Sequence, residues 1–192
     1  MKIGILGGTF SPPHLGHSAL AIEALEHLKL DQVLLIPTNI SPHKDNDSTP
    51  ILERLDMVKI MISSDQRIKI EDCEIKRGGT SYTIDTVREL KKKYPGDEFY
   101  LIVGSDLAND FSSWKSYPEL KKETRIVVGC RNNYPLKQKD DFILLDIAQF
   151  YISSSQIREL IRQGHSIRHL VKDSVADYVE KHKLYKERSN DD

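Results

Sequence analysis

The chain has 192 residues, 39% hydrophobic and 30% charged, the make-up of a globular enzyme with a real core. Its 28 Lys and Arg nearly balance 29 Asp and Glu, and the net charge of −1 argues against a general nucleic-acid binder, which would carry a basic excess. Two cysteines, Cys73 and Cys130, are too few for a disulfide framework and lack metal-ligand spacing. The N-terminus carries no secretory pattern, and the longest clean aliphatic run, residues 33–36, is far too short to span a membrane. These features predict one cytoplasmic domain over 1–192, with helices over about 154–185 packed on it and a charged tail over 186–192.

In chain order, residues 3–6 read as a short buried strand and 18–28 as a helix. Residues 32–36 form a second strand ended by Pro37, and 51–62 an amphipathic helix with apolar residues at 51, 55, 58 and 62. Residues 67–70 read as strand, and 74–76 as a weaker one. A helix over 83–94 places Ile84, Val87 and Leu90 on one face, and the strand over 98–103 stops at Gly104. Then come a helix over 117–123, strands over 125–128 and 142–145, and helices over 154–163 and 174–182. Repeated strand–helix units predict an α/β fold: a Rossmann-like, doubly wound, mainly parallel sheet with helices on both faces and a small C-terminal helical portion. Ligands on such sheets bind beyond the C-terminal strand ends, where the strand order reverses.

The densest chemistry is Gly7 to His17, GGTFSPPHLGH, between the first strand and the first helix. Gly7 and Gly8 let the backbone turn tightly and approach a ligand, and the helix start offers unpaired N–H groups to an anion. His14 and His17, three apart, face one way on the first turn and can donate to phosphate oxygens. The glycine spacing is not that of the dinucleotide fingerprint, and no P-loop pattern occurs. A zinc site would need a third ligand that is not nearby.

Further along, ISSSQIR offers Ser153, Ser154 and Ser155 as helix caps. Arg158 can lean back to clamp a polyphosphate with them, unless it is a surface arginine behind an ordinary cap. In PTNISPHK, Asn39, His43 and Lys44 suit a second anionic substrate, or a solvated loop. SYTIDT, with Tyr82 and Thr83, opens a helix whose first amides could take an anionic or carbonyl group, or is a plain cap with a core tyrosine. Asp106 in LIVGSD could accept from ribose hydroxyls. Trp114, the single tryptophan, is either a core anchor or a stacking surface for an aromatic ring.

In this order the motifs GGTFSPPHLGH, PHK, RGGTSYTIDT, VGSD, the Trp114 segment, ISSSQIR and VADYVEKHKLY resemble the bacterial nicotinate-mononucleotide adenylyltransferases of the H-x-G-H nucleotidyltransferase superfamily, from about residue 2 to 185. Two departures are visible: Ser11 stands where that family commonly has Asp, and Ser155 where it commonly has Thr. The resemblance implies that the phosphate of nicotinate mononucleotide attacks the α-phosphorus of ATP, giving deamido-NAD and pyrophosphate. It implies His14, His17 and Arg158 as catalytic residues. ATP would be held by Gly8, Thr9, Phe10, His17, Gly104, Asp106, Ile152, Ser154 and Arg158. The mononucleotide would be held by Asn39, His43, Lys44, Tyr82, Thr83 and Trp114. Mg²⁺ would arrive on the ATP phosphates, with no protein metal ligands. The implied partners are small molecules, with no nucleic acid and no membrane, and self-association is left open. Two other readings stay open: a related transferase with another acceptor, phosphopantetheine or nicotinamide mononucleotide, and a nucleotide sensor without turnover.

Overall fold

A computed structural model of the chain describes residues 1–42, 49–62, 65–130, 135–137, 141–146 and 151–186. Six parallel strands form its sheet: β1 (Lys2–Gly8), β2 (Gln32–Pro37), β3 (Ile68–Ile70), β4 (Glu98–Gly104), β5 (Arg125–Cys130) and β6 (Ile143–Asp146). Their order is β3-β2-β1-β4-β5-β6, so the chain reverses its direction of travel between β1 and β4. The crevice expected at that reversal opens above Gly7, Gly8 and Gly104, at the carboxyl ends of those strands. The helices are α1 (Leu15–His27), α2 (Ile51–Ile62), α3 (Cys73–Arg77), α4 (Thr83–Lys93), α5 (Ser105–Ala108), α6 (Tyr117–Glu123), α7 (Ser154–Arg162) and α8 (Asp173–Lys181).

The two faces of the sheet are written into alternate residues of each strand. Ile3, Ile5, Leu34, Ile36, Leu101, Val103 and Val128 pack with Ile84, Val87 and Leu90 of α4 and Leu120 of α6. Leu6, Val33, Leu35, Ile102 and Val127 turn the other way, toward α1, α2, α7 and α8. The inner strands β2, β4 and β5 are buried on both faces, so they read as near-continuous apolar runs rather than as alternating ones. Gly4 is required by packing, because a Cβ there would stand 2.8 Å from Ile102 Cδ1 and 2.9 Å from Val33 Cγ2.

Residues 74–76 are not a strand. They lie within α3, where Lys76 N–H bonds Asp72 O at 3.0 Å and Gly78 N–H bonds Glu74 O at 3.1 Å. A three-residue alternation is too short to specify a strand against local helical bonds, and Gly78 at φ 70° ends the turn. Helix α1 begins earlier than its apolar spacing suggested, so His14 is its N-cap residue rather than part of its first turn. Helix α5 and a 3₁₀ turn over Phe111–Ser113 carry no apolar period and are seen only in the structure. Among the described residues, no helix is long and apolar enough to cross a membrane.

Candidate active site

Two adjoining cavities meet at the tip of β1. The larger, about 1530 Å³, runs from Gly104 and Asp106 past Gly8, Thr9, His14 and His17 to Ser154, Arg158 and Arg162. The smaller, about 100 Å³, lies between β1, α3, α4 and the Trp114 segment and can take one end of a ligand rather than a whole one. Gly7, Gly8, Thr9, Thr38 and Val103 line both. A Cβ on Gly7 would meet nothing within 4 Å, so this glycine leaves the shared wall low where the two spaces join.

The histidines are held by each other and by the loop. Their rings stack with centroids 3.8 Å apart, and the edge of Phe10 meets His17 at 4.8 Å. Phe10 takes φ 51° with its ring buried under the loop. His17 Nδ1 accepts the main-chain N–H of His14 at 3.2 Å. With Nδ1 an acceptor, the proton of the neutral imidazole is on Nε2, leaving an N–H to donate to a phosphate oxygen.

Across the cleft, Ser153 caps α7 by accepting the Gln156 N–H at 3.1 Å. Ile157 and Ile161 are buried beneath, so the next polar positions face the cleft. Ser154 Oγ donates to Pro12 O at 2.9 Å, and Arg158 Nη1 donates to Ser11 O at 2.8 Å. The arginine therefore leans back over its own helix start, and it is not a bystander on the surface. Gly104, Asp106 and Ile152 line the same cleft, with Asp106 exposed in the first turn of α5.

In the smaller cavity, Tyr82 holds the N-cap position of α4 without a side-chain cap bond, and the Thr83 and Ile84 amides of that first turn have no intrahelical acceptor. Lys115 Nζ sits 4.3 Å from the Tyr82 ring centre. Trp114 packs edge-on against Phe111 at 4.8 Å, and its indole also lines the cavity. Asn39 lines the larger cleft instead, and its side-chain amide donates to Gly79 O at 2.9 Å. His43 and Lys44 lie outside the described residues.

Sequence reasoning missed three contributors. Arg54, buried in α2, donates to Thr9 O and Thr38 O at 2.8 Å each, to Asn39 O at 3.3 Å and to Thr49 O at 3.4 Å. One guanidinium thus ties the loops after β1 and β2 to the start of α2; an arginine inside that helix's apolar stripe was the available signal. Glu74, buried in α3, lines the smaller cavity. The turn after α8, residues 182–186, lines the larger cleft, with Lys183 and Tyr185 at positive φ.

A cytidylyltransferase-like family model matches residues 5–160. A protein of Shouchella clausii, named "probable nicotinate-nucleotide adenylyltransferase", is 42% identical over 96% of this chain and 96% of its own length. The chain belongs to the nicotinate-nucleotide adenylyltransferases. A relative of the same name in Geobacillus thermodenitrificans is 40% identical over 98% of this chain and 88% of its own. Among solved structures, the Plasmodium falciparum nicotinic acid mononucleotide adenylyltransferase complexed with NaAD superposes with a TM-score of 0.82 at 23% identity, covering 96% of this chain and 97% of that one, and so shares the fold. Against the usual aspartate of this family, the Ser11 hydroxyl is fully buried at the cleft edge. It donates to Thr49 Oγ1 at 3.0 Å and pairs with the Tyr185 hydroxyl at 3.0 Å. Ser11 thus hydrogen-bonds the loop after β1 to the start of α2 and to the C-terminal turn without placing a carboxylate there.

Proposed function

We infer that the chain transfers the adenylyl group of ATP to nicotinate mononucleotide, giving deamido-NAD and pyrophosphate, a step of NAD biosynthesis. The observation that carries this reading is the wall shared by the two cavities at Gly7, Gly8 and Thr9. ATP in the larger cleft and the pyridine ring in the smaller would bring the α-phosphorus and the mononucleotide phosphate together over that wall. A phosphate monoester is already a nucleophile, so no side chain need form a bond. Catalysis then rests on in-line positioning and on donors placed where charge spreads.

His17 Nε2–H and His14 meet the transferring and leaving phosphates, and the Ser154 main-chain N–H at the start of α7 holds the β and γ groups with Arg158. The backbone of Gly8, Thr9 and Phe10 follows the nucleotide, Ile152 packs beside it, and Gly104 and Asp106 meet its ribose. The Thr83 amide receives the ring carboxylate at the positive end of α4, beside Tyr82, and Trp114 stacks on the ring. Asn39 meets the mononucleotide phosphate, a role the sequence also offers to His43 and Lys44, which lie outside the described residues.

The donors lining the larger cleft are mainly hydroxyls, imidazoles and guanidinium groups, which suit phosphate oxygens. Mg²⁺ carried on the ATP phosphates would supply further charge neutralisation there, while the side chains of the cleft hold the phosphates themselves. The reading places this single domain in the cytoplasm. The test is pyrophosphate release and product chromatography with ATP, Mg²⁺ and one acceptor at a time. Turnover with nicotinate mononucleotide is expected. Turnover with phosphopantetheine alone, or with no acceptor, would overturn the assignment.

A further inference from the structure

Glu74 is a carboxyl that the mechanism does not use, set in the wall of the smaller cavity. Only 6% of it is exposed, and it lines that cavity with Thr83, Thr86 and Trp114. Its Oε1 accepts from Thr86 Oγ1 at 2.7 Å, and that hydroxyl in turn accepts from Arg77 Nη2 at 2.9 Å. Its Oε2 is buried and has no hydrogen-bond partner among the described residues. A buried polar atom of this kind is an exception in folded proteins and calls for a cause.

The orphaned oxygen asks for opposite things in its two protonation states. Ionised, it is an acceptor in want of a donor and carries a charge in a dry wall. Protonated, it is a donor in want of an acceptor. The two pyridine mononucleotides differ in this respect: the nicotinate carboxylate is a charged acceptor, whereas the nicotinamide carboxamide is neutral and brings two N–H donors.

The groups facing Glu74 act on its proton in both directions, and Lys115 lines the same cavity. Burial is the largest influence and raises its pKa above the ordinary glutamate value. The Thr86 and Ser81 hydroxyls and the Arg77 guanidinium act in the other direction, and Glu89 of α4 adds to the rise. Arg77 also pairs with Glu89 at 2.6 Å, so its charge is shared. The neighbouring Cys73 thiol, pushed up to about 12 by burial, stays neutral. A second carboxylate in the same cavity is a like charge and lifts the glutamate further.

We propose that Glu74 is the specificity-determining residue of the pyridine cavity, admitting the nicotinate carboxylate when it holds a proton and favouring the carboxamide when it has lost it. The proposal rests on the reading that the ring of the mononucleotide enters this cavity. The proton comes from solvent, resides on the Glu74 carboxyl while nicotinate is bound, and returns on release. Glu74 touches no reacting atom and is not a catalytic residue.

The experiment is competition between nicotinate and nicotinamide mononucleotide from pH 6 to 9. Both substrates carry the same phosphate, so its titration cancels in the ratio of their kcat/KM values. In the wild-type enzyme the acid-to-amide ratio falls with rising pH by about tenfold, the equivalent of one pKa unit of interaction. In Glu74→Gln, which keeps the shape and cannot ionise, the ratio is flat. A flat wild-type ratio, or the same slope in Glu74→Gln, overturns the proposal.

Should Glu74→Gln fail to fold, titration calorimetry of the wild type at pH 8 in two buffers of different ionisation enthalpy decides. Nicotinate mononucleotide then takes up more protons than nicotinamide mononucleotide, and equal uptake overturns the proposal. Failure of the function itself reads differently, as no dinucleotide from either acceptor.

Discussion

Arg158 and Ser11, 147 positions apart in the chain, are joined by a 2.8 Å bond from the guanidinium Nη1 to the main-chain carbonyl. With Ser154 donating to Pro12 O, the start of α7 is fastened to the loop after β1. The two segments we assign to the phosphates are thus set against each other by the fold itself. On that proposal, a cleft wall held before substrate arrives needs little reorganisation as charge develops.

Arg158→Lys keeps the charge and loses the fork. The single ammonium cannot hold the Ser11 carbonyl and a phosphate oxygen in the same plane. Turnover should fall by about 10²-fold, with circular dichroism unchanged. Activity within a factor of about two of wild type would remove the fork from the account.

His17→Ala should lower turnover by about 10²–10³-fold, the usual loss for one charge-stabilising donor. The motivation is the fixed tautomer, with Nδ1 accepting from His14 N–H. Steady-state rates at saturating substrates check it. Near-normal turnover would take the Nε2 proton out of the mechanism.

Trp114→Ala should raise the KM for the mononucleotide by about 5- to 150-fold, the loss of a stacking contact of about 1–3 kcal/mol, and leave that for ATP nearly unchanged. The edge contact with Phe111 is lost too, so the protein should also be less stable by about 0.5–1.5 kcal/mol beyond the buried area. A drop in Tm with both KM values intact would make Trp114 a packing residue alone.

Arg54→Leu strips the donors from the carbonyls of Thr9, Thr38, Asn39 and Thr49. Orphaned buried acceptors of this kind cost about 3 kcal/mol, and thermal unfolding should show Tm lower by about 6–12 °C. An unchanged Tm would mean that the loops hold themselves without it.

The sequence announced what is local. GGTFSPPHLGH and ISSSQIR are contiguous, and the backbone geometry that brings them to the cleft follows from glycine, serine and the start of a helix. The central strands were legible as short apolar runs, β2 ended by Pro37 and β4 by Gly104. Arg54 was not legible as a site residue, since its partners are main-chain carbonyls up to 45 residues away and any residue type supplies a carbonyl. Tyr185 bonds Ser11 across 174 residues, a contact that no local pattern encodes. Residues 74–76 were misread because a short alternation cannot outweigh the i→i+4 bonds that its neighbours close.

The central claim is direct transfer between two adjoining cavities, with no bond to the protein along the way. Enzyme in excess, mixed with ATP labelled at the α-phosphate and Mg²⁺ but without mononucleotide, should release no pyrophosphate and retain no label after denaturation. On adding nicotinate mononucleotide, the label should pass into deamido-NAD with one equivalent of pyrophosphate. Label fixed to the denatured protein, or a stoichiometric burst of pyrophosphate before the mononucleotide is added, would contradict the account.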